Sequence, residues 1–218
     1  MKKNYLSLIY KMLIVLVLGT GLYLNFKFIS FKSGVVYFTL QSNILCFIFY
    51  VFLTVYLLMY GNYKKFKYDK KPYIILKGLI SANITLTMVM YTFLELTNSV
   101  SVYDAHLIEC LFVHYITPVM ILLDYIVFDK KGNMQWHYPL IWGVIPVLYG
   151  IFNFIYTISG GTFVEGKYAY AFYNIDKYGI SGVAINCILI LVGFFILNFI
   201  VVYLDRKVGE ENEERRIK

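Results

Sequence analysis

The sequence predicts an all-α fold, a polytopic membrane protein with six transmembrane helices. Of the 218 residues, 60% are apolar and 15% are charged, whereas about 25% are charged in a typical soluble domain. Apolar runs of about 20 residues, the length that crosses a bilayer, occur six times along the chain. The segments between these runs are too short for a separate soluble domain, so we expect one helical bundle in a membrane.

The predicted helices form one domain over residues 1–204, and the charged residues 205–218 are expected to form a cytoplasmic tail. The first helix follows a basic start, Met1-Lys2-Lys3, which is typical of a signal peptide. No small-residue cleavage site follows it, so we interpret it as an uncleaved helix. The six helices are predicted, to within a few residues, at 8–29, 35–59, 73–96, 105–128, 138–158 and 182–204.

Lysine and arginine residues lie mostly on one side of the predicted bundle. Such a bias marks the cytoplasmic side of a membrane protein, so both termini are expected in the cytoplasm. Lys11 and Lys77 lie just inside helix starts, and their ammonium groups are expected to snorkel to the cytoplasmic surface. The lysine cluster at 64–71 is interpreted as a topology signal that also contacts anionic lipid head groups. Since topology accounts for the net charge of +7, no nucleic-acid partner is expected.

The three cysteines, Cys46, Cys110 and Cys187, lie in separate apolar runs and outside any pair motif. We interpret them as small core residues that form neither a disulfide nor a metal site. The sequence also lacks the phosphate-binding, dinucleotide-binding and zinc-protease motifs. No cofactor and no metal ion are therefore expected.

The second predicted helix begins with an unusually polar stretch, residues 37–43 (YFTLQSN). Thr39, Ser42, Asn43 and Cys46 follow at helical spacing, so they share one face. A polar stripe in hydrocarbon is costly unless it meets other polar groups or lines a cavity. The stripe therefore predicts either a functional pocket or a polar contact between helices.

His114 lies well inside the fourth predicted helix, on the face that also carries Cys110, Thr117 and Asp124. An ionisable residue within a membrane helix is a functional candidate. The structural alternative is a neutral imidazole that forms a hydrogen bond across the bundle. The other two histidines, His106 and His137, lie at helix starts and are interpreted as interfacial residues.

Helices 2 and 4 are predicted to run in the same direction, so Thr39 and His114 can meet if the two helices face each other. At 1.5 Å per residue they lie roughly 6 Å and 13 Å below their helix starts, in the outer half of a hydrocarbon core about 30 Å thick. An imidazole that takes the hydroxyl proton would let the alkoxide attack an acyl carbonyl. The alternative for Thr39 is a bond to its own helix backbone.

No third catalytic residue is evident in the sequence. Asp124 lies roughly 15 Å along the helix from His114, and Glu109 is expected to point away from it. Asparagines on four helices could orient the imidazole or stabilise an oxyanion. The expected supporting residues of the pocket are Ser42, Asn43, Asn83, Thr117 and Asn186, and Asn153 is a further asparagine of this kind.

Residues 37–43, residues 114–118 (HYITP) and the aromatic loop 166–179 resemble three segments of the androgen-induced and androgen-dependent (ADTRP-like) family. The similarity extends over most of the chain, through short motifs. That family consists of multi-pass membrane hydrolases of fatty acid esters of hydroxy fatty acids (FAHFAs). The resemblance implies that Thr39 is the nucleophile and His114 its base. Ala169 and Ala171 stand where the family loop carries prolines, which affects the rigidity of the loop.

Three functions follow from these observations. The first is an intramembrane hydrolase of FAHFAs or similar amphiphilic esters, with a membrane lipid ester as the substrate. The second is a transporter or channel for a small solute, with the polar side chains lining its path. The third is a non-enzymatic lipid-binding protein, in which those side chains only join helices. The expected location is a bacterial plasma membrane, because lysine far outnumbers arginine and Ile, Tyr and Asn are plentiful.

Overall fold

The computed structural model describes residues 2–60, 70–97, 107–164 and 166–217. Within these ranges the chain forms helices and no strand, apart from an isolated bridge between Phe163 and Gly166. A π-helical turn, the π segment, lies between α5 and α6, and a short 3-10 helix spans Ala171–Tyr173. The α-helices are α1 Lys2–Phe28, α2 Phe31–Gly34, α3 Phe38–Tyr60, α4 Lys71–Leu96, α5 Leu107–Leu111, α6 Thr117–Phe128, α7 Tyr138–Trp142, α8 Val144–Ile158 and α9 Ile175–Ile217.

Six helical spans in the described part of the chain are long and apolar enough to cross a membrane. The all-α, polytopic fold is therefore confirmed, and the protein is a multi-pass membrane protein. The fourth span combines α5, the π segment and α6, and the fifth combines α7 and α8. We call the side of the bundle on which α1 begins the proximal side and the opposite side the distal side.

The last helix differs from its predicted range, 182–204. It begins at Ile175, bends at Gly179, where φ is +65°, and continues to Ile217. The charged residues 205–217 are thus helical in the structure. Glutamate and arginine four residues apart, as at Glu211 and Arg215, favour such a helical extension.

The core is built around α1, α3, α4 and α6, which pack against one another. Its largest apolar cluster joins all four helices through Ile14, Tyr50, Ile84 and Ile121, each at most 1% exposed. Large apolar side chains cover the outer surface, as expected for helices in contact with lipid. The four helices therefore form a packed frame that positions the residues between them.

α7 packs closely against α4 and so joins the fifth span to the core. The indole ring of Trp142 occupies the space where a Cβ atom on Gly78 would lie. The indole nitrogen of Trp142 donates a hydrogen bond to the carbonyl of Ile75, at 3.0 Å. Small residues allow such close helix contacts in membrane bundles, so Gly78 is a packing requirement.

The expectation that Lys11 and Lys77 snorkel to the surface is wrong. Both side chains are buried, and their ammonium groups lie 2.8 Å and 2.5 Å from the two carboxylate oxygens of Asp124. Lys77 also pairs with Asp129 at 2.7 Å, and the hydroxyl of Tyr50 donates to Asp124 at 3.0 Å. A carboxylate inside the bundle gives the ammonium groups a nearer partner than the lipid surface, and it pairs charges that would be costly alone.

Two predictions fall on residues outside the described ranges. They concern His106 and most of the lysine cluster at 64–71, of which the structure describes Lys70 and Lys71. The cytoplasmic location of the proximal side stays a prediction from the lysine and arginine count.

Candidate functional site

Thr39 lies in the first turn of α3, at the distal side of the bundle. The short helix α2 precedes it, with the Ser30 side chain accepting a hydrogen bond from the Ser33 amide at its start. The first main-chain hydrogen bond of α3 runs from the Gln41 amide to the Tyr37 carbonyl. Thr39 is therefore at a helix N-terminus, where the first N–H groups have no partner in the helix.

His114 lies in the π segment, Phe112–Ile116, in the distal half of the fourth span. The Thr117 amide bonds to the Phe112 carbonyl, five residues earlier. Pro118 follows, and because it has no N–H it cannot bond to the His114 carbonyl as an α-helix requires. Single π-helical turns within α-helices often occur at functional sites, and here the turn carries the imidazole.

The structure brings Thr39 and His114 together. The Thr39 hydroxyl oxygen lies 3.3 Å from Nε2 of His114, and Nδ1 lies 3.2 Å from the carbonyl oxygen of Cys110. A carbonyl only accepts, so Nδ1 carries the proton and Nε2 of the neutral ring accepts from the hydroxyl. The ring of Tyr91 stacks on the imidazole at 3.7 Å between centroids, which fixes the plane of the ring. The arrangement is that of a nucleophile and its general base.

Asn43 and Ser42 hold the Thr39 turn against its neighbours. The Asn43 amide donates to the carbonyls of Thr39, at 2.9 Å, and Val113, at 3.1 Å. The Ser42 hydroxyl donates to the Thr39 carbonyl at 2.9 Å and lies 2.8 Å from the Thr87 hydroxyl on α4. Asn43 therefore joins the backbone beside the nucleophile to the residue that precedes the base.

The other predicted supporting residues lie away from this pair. Asn83 donates to the carbonyls of Leu79 and Trp142, and thus joins α4 to α7. Thr117 is 1% exposed and is the first residue of α6, directly after the π segment. Asn186 donates to the carbonyl of Phe172 at 3.1 Å. None of these three lines the cavity beside Thr39.

A cavity of about 1100 Å³ adjoins the pair and is partly open to the surface of the bundle. Thr39, His114 and Tyr91 form part of its wall, and Glu109 also lines the cavity and accepts a hydrogen bond from the Asn25 side chain. Within the described residues no carboxylate contacts the His114 ring. The remaining wall is mainly apolar and comes from α4, α8 and α9.

The loop between α8 and α9 forms part of the cavity wall. Tyr168, Tyr170 and Tyr173 line it, and the Tyr37 hydroxyl accepts a hydrogen bond from the Val164 amide at 3.0 Å. The sequence shows the aromatic density of this loop but predicts no site residue within it. The pattern YAYAFY at 168–173 is the signal that could have found them, since aromatic residues on a loop beside a polar helix start can line a pocket.

No family model matches the chain, and no curated protein or solved structure matches it either. In the described ranges, no group of three or more His, Cys, Asp or Glu side chains could hold a metal ion. The geometry of Thr39, His114 and the cavity is therefore the basis for assigning a function.

Proposed function

We propose that the protein is an intramembrane ester hydrolase in which Thr39 is the nucleophile and His114 the general base. The observation that carries the proposal is the 3.3 Å contact between the Thr39 hydroxyl and Nε2 of His114 beside a large, mainly apolar cavity. A threonine with only a structural role often bonds to its own helix backbone, whereas the Thr39 hydroxyl contacts the imidazole. The resemblance to the ADTRP-like family supports the same two residues.

The reaction would proceed in two halves. Nε2 of His114 takes the Thr39 proton as the hydroxyl oxygen forms a bond to the ester carbonyl carbon. The resulting tetrahedral intermediate expels the alcohol, which receives the proton from the imidazolium and leaves an acyl-threonine. Water then attacks the acyl-threonine with His114 again as the base, which releases the fatty acid and restores the threonine.

The shape of the cavity supports an amphiphilic lipid ester as the substrate. Val147, Ile151 and Phe154 of α8 line the cavity and are also exposed on the surface of the bundle. In a membrane that surface faces hydrocarbon, so a lipid can enter sideways with its chains in an apolar environment. FAHFAs and similar esters fit this class of substrate.

The test is covalent labelling of the purified protein by an alkyl fluorophosphonate, which reacts with an activated serine or threonine hydroxyl. Thr39→Ala and His114→Ala are expected to abolish labelling, and Thr39→Ser to keep it. Thr54→Ala is the matched control, because Thr54 is a buried threonine of the same helix that does not line the cavity. Equal labelling of the wild type, Thr39→Ala and His114→Ala would contradict the proposal.

A lipid-binding protein without hydrolase activity is the second candidate, favoured by the size and apolar wall of the cavity. Both functions predict that a lipid ester copurifies with Thr39→Ala. Only the hydrolase predicts that Thr39→Ala increases the amount of intact ester recovered, because the wild type would cleave it. An equal amount of intact ester from the wild type and the variant would favour lipid binding alone.

A further inference from the structure

One face of α9 lines the cavity beside Thr39. Its lining residues recur at the spacing of a single helix face over about three turns, and all of them are apolar: Ile180, Val183, Ala184, Cys187, Ile190 and Leu191. The helix α8, which packs against α9, adds a second apolar face to the wall: Pro146, Val147, Gly150, Ile151 and Phe154. We call these two sets of residues the α9 stripe and the α8 stripe.

Tyr149 holds the α8 stripe against the start of α3. Its hydroxyl donates a hydrogen bond to the Val36 carbonyl at 3.1 Å, and its ring meets the edge of the Phe38 ring at 5.1 Å between centroids. Thr39 directly follows Phe38, and Gly150 directly follows Tyr149. The two stripes are therefore continuous with the wall that carries Thr39 and His114.

The cavity has a polar part in a different direction from Thr39. Glu109 of α5 and Asn25 of α1 line it there, joined by their hydrogen bond. These two helices pack against each other, whereas α8 packs against α7 and α9. An ester with its carbonyl at Thr39 can therefore direct a polar alcohol toward Glu109 and its hydrocarbon chain along α8 and α9.

Gly150 leaves room for a ligand within the α8 stripe. A Cβ atom at this position would meet the Tyr173 hydroxyl at 3.6 Å, which is an ordinary contact distance. A larger side chain can therefore be built on the helix without a clash at its Cβ atom, and it would occupy part of the cavity. Ala184 is the smallest side chain of the α9 stripe, so it offers the same opportunity on the facing wall.

We propose that the α8 and α9 stripes form an acyl-chain subsite, and that Gly150 and Ala184 set the length of the fatty acyl chain that it accepts. This inference rests on the proposed function, because the chain belongs to the ester that Thr39 attacks. The occupant is a hydrocarbon chain because every side chain of the two stripes is apolar, and each methylene group buried against such a wall favours binding. The carbonyl carbon lies at Thr39, and the chain extends from it along the two stripes.

The experiment compares p-nitrophenyl esters of butanoic, octanoic and hexadecanoic acid as substrates. Gly150→Leu is expected to lower the ratio of kcat/KM for the hexadecanoyl ester to that for the butanoyl ester on the order of 10-fold, because chain atoms lose their place in an apolar pocket. Ala184→Leu should change the ratio in the same direction. Gly193→Leu is the matched control on α9, because a Cβ atom at Gly193 meets no atom within 4 Å and the residue does not line the cavity.

A second measurement does not depend on hydrolysis. Hexadecanoic acid that carries a photoreactive diazirine near its methyl end is expected to label residues of the two stripes in the purified protein. An excess of unlabelled hexadecanoic acid should suppress this labelling. Gly150→Leu should reduce labelling of the stripes, whereas Gly193→Leu should not. Equal labelling of the stripes in the wild type and Gly150→Leu would contradict the subsite.

The outcomes separate the subsite from the proposed function. If the wild type hydrolyses the esters and Thr39→Ala does not, but both leucine variants keep the chain-length ratio of the wild type, the subsite is wrong and the hydrolase stands. Reduced labelling together with an unchanged ratio would mean that the stripes hold a resident lipid, which also overturns the inference. If the wild type and Thr39→Ala are equally inactive, the proposed function fails, and the labelling decides whether a chain binds here. Should Gly150→Leu not fold, Ala184→Leu decides both measurements.

Discussion

The ammonium nitrogen of Lys11 lies 2.8 Å from a carboxylate oxygen of Asp124, and both side chains are completely buried. The ammonium group of Lys77 contacts the other oxygen of the same carboxylate, and the Tyr50 hydroxyl donates a hydrogen bond to that oxygen. Asp124 therefore joins α1, α3, α4 and α6 at one point, far along the fourth span from His114. This ion cluster stabilises the proximal half of the frame that carries the site at its distal half.

Replacing the central carboxylate is expected to destabilise the fold strongly. Asp124→Asn leaves two buried ammonium groups without their shared negative charge, and breaking a buried ion pair costs about 3–5 kcal/mol. Thermal unfolding in detergent should show a large fall in the midpoint. Asp176→Asn, which removes the exposed partner of Lys167, is the control and should leave the midpoint unchanged.

A triple substitution tests whether the charges themselves are required. Lys11→Met, Lys77→Met and Asp124→Leu together replace the centre of the ion cluster by apolar side chains of similar volume, while Asp129 loses Lys77 and keeps its hydrogen bond from the Tyr73 hydroxyl. Such replacements are often neutral or stabilising, so most of the loss caused by Asp124→Asn should be recovered. A triple variant as unstable as Asp124→Asn would mean that Asp129 or Tyr50 depends on the charges.

Gly78 is expected to tolerate no side chain. A Cβ atom there would overlap the ring of Trp142, so Gly78→Ala must push α7 away from α4 at a cost of about 1–3 kcal/mol. Gly193→Ala is the matched control, since a Cβ atom at Gly193 meets no atom within 4 Å. The unfolding midpoint of Gly78→Ala should be lower than that of Gly193→Ala, and equal midpoints would contradict the packing argument.

Asn43 is expected to act on the reaction by positioning the Thr39 turn. Asn43→Leu removes the bonds to the Thr39 and Val113 carbonyls, and small displacements of a catalytic group reduce kcat on the order of 10- to 100-fold. A double-mutant cycle gives the readout: Asn43→Leu should lower kcat in the wild type but have no further effect in His114→Ala. Additive losses in the cycle would indicate a purely structural role.

Asn186 is expected to hold the loop closed. Asn186→Leu removes the bond to the Phe172 carbonyl, which should increase local opening of the loop. Limited digestion by chymotrypsin, which cuts after aromatic residues, should then become faster within 168–173. Asn198→Leu is the control, because among the described residues the Asn198 amide bonds within its own helix alone, to the Phe194 carbonyl. Equal cleavage rates would show that the loop is held by its aromatic contacts.

The fold could be predicted from the sequence because apolar run length is a local property. The six spans follow directly from it. The ion cluster could not be predicted, because its ammonium groups lie far along the chain from Asp124 and helix periodicity does not indicate the partner. A lysine near a helix start is equally compatible with snorkelling and with burial.

The candidate site, like the fold, could be predicted only in part from the sequence. The polar pattern at 37–43 and the buried His114 indicated the pair, and the structure brings these two side chains within 3.3 Å. The π segment shifts the helix register next to His114, and an ideal helical wheel contains no such shift. Asn83 and Asn186 carry the same amide as Asn43, but only tertiary contacts determine which carbonyls they bind.

The carbonyl of Cys110 stands where many hydrolases place an aspartate behind the histidine. A main-chain oxygen is present whatever side chain occupies position 110, so replacing that cysteine leaves the tautomer of the base intact. An alanine scan of this chain would miss the group that orients the imidazole. The orientation of the imidazole therefore depends on the path of the backbone around the π segment. Insertions or deletions there would disturb this orientation more than truncation of the Cys110 side chain.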